Sequence, residues 1–327
     1  MALVARYPDL YQGHKKKRDY FEGWYFKIAD PTECYVFAFI PGILLGKSAK
    51  DSHSFIQLIH GEKAFYRYLS FPPTSFQAEK DRFRINIAGN SFSLQHMRLN
   101  IEDPDFSVQG MLNFSQLVTW PDTSLNPGSM GFFNYFPGMQ CYSQVCALDM
   151  ELKGSLTVNG KEIDFSGGRG YVEKNWGKAF PSSWIWLQSN HFSLPRISFT
   201  CSLAQVPFLF SGVSFRGFLV GLFCNERFFS FTTLNRSRCR VKKKDADVMM
   251  ELRNSQYSLL IEVRTNENQF IELHGPREGL MVPLVKENLF GRIKLELKEN
   301  SGKQLFSGEG NCAGVEYGGR SMLTLDV

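Results

Sequence analysis

The chain has 327 residues, 43% of them hydrophobic and 21% charged, which is the balance of a globular protein and excludes a disordered one. Lys and Arg (37) exceed Asp and Glu (32) by five, too few and too scattered for a nucleic-acid-binding protein. Aromatic residues make up 14%, with 30 Phe, which favours strands and suits an apolar ligand cavity.

The start, Met1 to Arg6, lacks an apolar run of signal-peptide length, so a cytoplasmic protein is expected. The run Lys15-Lys-Lys-Arg18 reads either as a solvated arm or as a contact with anionic lipid headgroups at a membrane surface. Arg240 to Lys244 has the same two readings. Tyr20 to Lys27 then reads as a strand. Alternation puts Glu22, Trp24 and Phe26 on one face and Phe21, Tyr25 and Lys27 on the other. Cys34 to Ile40 is a second strand, expected to stop at Pro41-Gly42. Ser54 to Ile59 and Ala64 to Tyr68 form a hairpin around Gly61. Phe83 to Ile87 turns at Gly89-Asn90 into Ser91 to Leu94. Asp103 to Gln140, punctuated by four prolines, reads as long loops. Ser155 to Val158 and Lys161 to Phe165 flank Asn159-Gly160, the dipeptide of a type I′ hairpin turn. From Trp184 onward, alternation groups Trp184, Trp186, Gln188 and Asn190 against Ile185, Leu187, Ser189 and His191.

The second half repeats this order. Phe218 to Phe231 echoes the hairpin at 54–68, and Glu251 to Leu260 echoes Ile85 to Leu94. Phe165-Ser-Gly through Val172-Glu173 is matched by Phe306-Ser-Gly through Val315-Glu316. The fold class implied is all-β, with two tandem β-barrel or sandwich modules from an internal duplication, over 1–175 and 176–327. A barrel removes exposed edges, and one of about eight strands has room for one small ligand.

The seven Cys have irregular spacing and no C-x-x-C, which points to reduced thiols rather than a disulfide framework or zinc site. The six His are dispersed, with no H-E-x-x-H. Gly168-Arg-Gly170 fails the dinucleotide fingerprint, and Gly212-Val-Ser-Phe-Arg216 fails the nucleophile elbow. No metal and no cofactor is expected.

Two blocks combine aromatic mass with a carboxylate, Tyr20 to Lys27 and Gly167 to His191, and Asp51-Ser-His-Ser-Phe-Ile-Gln57 lies between them. Together with the closing Gly314-Val-Glu-Tyr-Gly-Gly319, they resemble the signature blocks of the tocopherol cyclase family. The resemblance implies a pair of lipocalin-like modules and, as in the plant members, closure of a prenylated benzoquinol to a chromanol. That reaction needs no redox change. A proton adds to a trisubstituted alkene, a tertiary cation develops, and the phenol oxygen captures it. A buried carboxyl stays protonated, aromatic faces attract the cation, and exclusion of water protects it.

The candidate proton-handling residues are Glu173, Glu22, His53 and Asp51. Glu173 comes first, because it lies between Tyr171 and Trp176. Its competing reading is an ion pair with Arg169 or a lysine, and Glu316 at the repeat-equivalent place favours such a scaffold role. Glu22 faces the same contest, and His53 is either a proton shuttle or a satisfied loop histidine. Candidate walls and polar contacts for a hydrophobic prenylquinol are Trp24, Tyr25, Trp176, Trp184, Trp186, Gln188, Asn190 and His191. The alternatives are a carrier or sensor that binds a hydrophobic isoprenoid or lipid unchanged, and a purely structural protein with packed barrels.

Overall fold

The computed structural model describes residues 6–207, 214–244 and 247–319. Of the stretch Met1 to Arg6, all but Arg6, and Gly212-Val213 of the Gly212 to Arg216 stretch, lie outside those residues. The described residues fold into 23 strands and four short 3₁₀ turns. They divide into two compact units, Met1–Phe180 with His274–Val282, and Pro181–Leu273 with Pro283–Val327.

The first sheet has twelve strands. From one end it runs Phe65–Phe71, His53–His60, Val36–Leu45, Tyr20–Ala29, Arg169–Gly177, Cys141–Val158, Phe106–Val118, His96–Asp103, Asn90–Ser93, Arg84–Ile87 and Phe76–Ala78. Lys161–Asp164 pairs beside Cys141–Val158. The sheet curls, so that rings from opposite ends of this path meet inside it. Trp24 stacks on Phe83 at 5.8 Å, Phe26 lies 5.4 Å from Phe92, and Phe65 stacks on Phe106 at 5.4 Å. Strict alternation explains the filling: Trp24, Phe26 and Ile28 all join this inner core.

The second sheet has eleven strands and the same plan. Ser183–Ser189 pairs with the last strand, Gln304–Gly319, as Tyr20–Ala29 pairs with Arg169–Gly177. Four strands run outward from that seam on one side and the rest return to it on the other. Its inner core includes Ile185, Leu187, Val315 and Tyr317.

Two boundaries differ from the sequence reading. The second strand does not stop at Pro41-Gly42 but continues to Leu45. Its ladder to Tyr20–Ala29 lapses between Gly23↔Gly42 and Phe26↔Phe39, so the missing proline N–H falls where pairing is already interrupted. Gly42 is required by close approach, since a Cβ there would sit 2.4 Å from the Phe55 ring. The stretch 103–140 is not all loop. Phe106–Val118 is a thirteen-residue strand, and Pro104 lies in the turn that opens it. The Asn159-Gly160 turn has both φ angles positive, 49° and 78°, as type I′ requires.

Candidate functional site

Alternation sorts the candidate residues onto opposite faces of the first sheet. Glu22, Trp24 and Trp176 point inward. Glu22 is fully buried, and its carboxylate accepts from the Lys174 ammonium and the Tyr20 hydroxyl, and from the Gln12 N–H at 2.9 and 3.1 Å. Lys174 also donates to the Leu10 carbonyl at 2.6 Å, and its charge lies 5.0 Å from the Trp24 ring and 4.6 Å from the Trp176 ring. Burial pushes the Glu22 carboxyl above the usual carboxylate range, against the opposing pull of Lys174. The inner face therefore holds a locked ion pair among packed rings, a structural arrangement.

The outer face is different. Arg169 turns to Asp149 at 2.9 Å, rather than to Glu173. Glu173 accepts from the Tyr171 hydroxyl at 2.7 Å and from Asn175 at 3.4 Å, and is in register with Tyr25. Burial, with the Glu173 charge nearby, pushes the Cys141 thiol up.

Three ladders away, the Asp51-to-Gln57 block shows what its spacing achieves. Asp51 closes a 3₁₀ turn and accepts from the Ser48 hydroxyl at 2.5 Å. His53, Phe55 and Gln57 then alternate onto the outer face. The His53 Nδ1–H donates to the Asp51 carbonyl at 3.0 Å, because that oxygen can only accept. This fixes the tautomer, so Nε2 accepts from the Tyr68 hydroxyl at 2.6 Å. The Phe55 ring lies over Gly42 and stacks on Tyr68 at 5.5 Å. Gln57 accepts from the Tyr66 hydroxyl at 2.6 Å, and His274 Nδ1 lies 2.9 Å from that hydroxyl. Burial keeps the Tyr66 and Tyr68 phenols protonated well above their ordinary range. Phe21, Leu44, Phe55 and Cys141 form an apolar cluster here, with Tyr68, Phe180 and Met281 packed against it.

Glu173 and Tyr68 share the outer face but stand four ladders apart, from Arg169–Gly177 across Tyr20–Ala29, Val36–Leu45 and His53–His60 to Phe65–Phe71. At about 4.8 Å per strand the path between their backbones along the curled sheet is about 19 Å, and side chains on the outside of a curl diverge. One small reacting centre cannot touch both, so the four proton-handling candidates do not form one constellation.

In the second unit, Trp184, Trp186 and Gln188 point away from the inner core, as alternation predicts. The Trp184 indole N–H donates to Glu316. A Cβ on Gly318 would sit 1.9 Å from the Trp184 ring, and one on Gly314 would sit 2.7 Å from Trp186. The closing Gly-x-Glu-x-Gly segment thus lets two indoles lie flat on the backbone. Asn190 is buried, and the backbone N–H of His191 donates to the Ser189 hydroxyl at 3.2 Å. Among the described residues, no group of three His, Cys, Asp or Glu is arranged to hold a metal.

The duplication supplies an internal comparison. Tyr25↔Glu173 in one module corresponds to Trp186↔Glu316 in the other. Counting outward along the ladders, Leu44↔His53 corresponds to Val206↔Phe215, Ile59↔Tyr66 to Gly221↔Ser230, and Gln57↔Tyr68 to Leu219↔Thr232. The glutamate is therefore repeated, and each copy takes a hydrogen bond from an aromatic donor on its own face. His53, Gln57, Tyr66 and Tyr68 are not repeated. Sequence reasoning named His53 but missed Tyr66, Tyr68, Gln57 and His274. Tyr66 and Tyr68 alternate opposite Gln57, and that period-two pattern was the available signal.

A chloroplastic protein of Oryza sativa subsp. japonica, named probable tocopherol cyclase, is 24% identical over 208 residues, 61% of this chain and 44% of that protein. The chloroplastic tocopherol cyclase of Zea mays is 27% identical over 211 residues, with the same coverage. The chain spans less than half the length of these relatives. Among solved structures, CghA with Sch210972 superposes with a TM-score of 0.60 over 92% of this chain and 88% of that one. At 9% identity that likeness concerns the fold. A family model described as tocopherol cyclase-like matches residues 96–319, about two thirds of the sequence, and the chain belongs to that family.

Proposed function

We propose that the protein closes a prenylated phenol or quinol to a chromanol, and that the His53–Tyr68 pair handles the proton. The observation that carries this reading is the 2.6 Å hydrogen bond between His53 and Tyr68, on the outer face of the first module and without a counterpart in the second. Imidazole is the side chain whose charge changes near neutrality. With His53 protonated, Tyr68 gives its hydroxyl proton to the less substituted alkene carbon while its oxygen takes the Nε2 proton. The tertiary cation forms beside the stacked Phe55 and Tyr68 rings, whose faces attract positive charge. The ring hydroxyl oxygen forms the C–O bond, and its proton returns through Tyr68 to His53. Electrons and protons balance within one turnover. The apolar cluster of Phe21, Leu44 and Phe55 keeps water from the cation.

Glu173 serves the scaffold in this reading, because the duplication keeps a glutamate at that place in both modules. A carrier that encloses its ligand inside the first module fits less well, since Trp24, Phe26, Phe83 and Phe92 fill the inner face. The test is to incubate purified protein with a prenylquinol in deuterated buffer. The expected product has the substrate's elemental composition, a chromanol ring, and one deuterium in the new C–H bond. Quinol recovered unchanged would refute the reaction.

A further inference from the structure

The end strand of the second sheet, Arg238–Lys244, buries Cys239 and Val241 and exposes Arg238, Arg240 and Lys242. Arg236, in the turn before it, is exposed. So is Arg253, which faces Arg238 from the neighbouring strand. Among the described residues, none of these five cations makes an ion pair. The acids along the same two-strand ribbon are Glu251, opposite Arg240, and Asp247 at its far end, so positive charge is in excess. Two apolar side chains stand among the cations: Met249, opposite Lys242 and 37% exposed, and Leu234, 39% exposed.

We propose that this face rests on an anionic lipid bilayer, with the cations over headgroup phosphates and Leu234 and Met249 entering the interfacial layer. The charge alternation supplies the attraction, and the two apolar side chains supply what a purely electrostatic contact lacks. Single-stranded nucleic acid would demand aromatic platforms for its bases, and the outward residues of this ribbon, Arg238 to Lys242 and Met249 to Arg253, offer none. The surface goes beyond the proposed reaction. It is where a chain that consumes an oily substrate would meet the phase that dissolves it, and it stands whether or not ring closure occurs.

The test is flotation of the full chain with vesicles of phosphatidylcholine alone, or of phosphatidylcholine mixed with phosphatidylglycerol. Binding is expected only to the mixed vesicles and weakens as salt shortens the screening length. The triple replacement Arg238→Gln, Arg240→Gln, Lys242→Gln lowers the partition coefficient about a hundredfold, at roughly fivefold per charge. Glu251→Gln raises it by about the same single-charge factor. Equal binding to neutral vesicles, or a triple variant that floats like its parent, overturns the proposal. So does a triple variant that self-associates while keeping its partition, because the charges would then guard a strand edge against pairing. Single-stranded RNA held as tightly as the mixed vesicles also overturns the choice of lipid.

Discussion

Replacing Lys174 by Met tests the inner ion pair most directly. Lys174 and Glu22 are both fully buried, and the Trp24 and Trp176 rings flank the ammonium at 5.0 and 4.6 Å. Met keeps most of the apolar stem, so the lost volume is small and the change is electrostatic. Removing one partner of a buried pair leaves an uncompensated charge and costs about 3–5 kcal/mol. For a unit of this size that lowers the melting temperature by roughly 10 °C. Urea titration followed by tryptophan fluorescence suits the question, since two of the five tryptophans line the site. The double variant Lys174→Met with Glu22→Leu should recover most of the loss, because no charge then remains buried. The pH dependence has a fixed sign. Burial already holds the Glu22 carboxyl above its ordinary 4.5, and without Lys174 it rises further. The folded state then binds the proton more tightly than the unfolded one. Stability is retained below 4.5 and falls as pH rises through the raised folded value. A loss below about 1 kcal/mol, or a variant that grows more stable over that rise, would refute the argument.

Tyr68→Phe removes the hydroxyl while keeping the ring that stacks on Phe55, and turnover of a prenylquinol should fall about a hundredfold at near-native stability. Undiminished turnover would dismiss the relay. Glu173→Gln should do the reverse, costing about 1–2 kcal/mol in urea titration while kcat stays within a few-fold of the parent. A collapse of kcat would return Glu173 to the chemistry. Gly318→Ala places a methyl within the Trp184 ring, and that ring is held by its N–H bond to Glu316. The expected cost is about 1–3 kcal/mol, with a changed near-ultraviolet circular dichroism band; an unchanged band and melting curve would count against the flat indole packing.

The fold was legible wherever local chemistry decides it. Asn159-Gly160 dictates its own turn, and alternation in Tyr20 to Lys27 and in Trp184 to Gln188 assigns faces that the two inner cores confirm. Legibility failed where a neighbour overrides the local rule. Pro41 should end a strand, but the adjoining ladder had already lapsed beside it. The prolines around 103–140 suggested loops, yet Phe106–Val118 pairs on both sides, with Cys141–Val158 and His96–Asp103, and tertiary pairing outweighed the punctuation.

The site was harder to read for a related reason. Aromatic and acidic residues crowd one stretch of sequence around Glu173, and crowding draws attention. Yet Glu22 and Glu173, both in such stretches, prove to face opposite sides of one sheet, and Glu22 is spent on Lys174. Beyond the Asp51 carbonyl, the partner of His53 lies fifteen residues away in sequence at Tyr68, and those of Gln57 reach as far as His274, so no short motif could unite them. Register unites them, and in a duplicated chain register does more. It sets each residue beside the one that occupies the same place in a sister module with the same strand order. A glutamate kept in both modules answers a demand that both share, the need of each seam for an acceptor beside an aromatic donor. Ser230 and Thr232 stand where the first module has Tyr66 and Tyr68, so the strand ladder itself does not require those phenols. The first unit makes a demand of its own on them, the packing of His274–Val282 against both rings, and the chemistry proposed above would be a second.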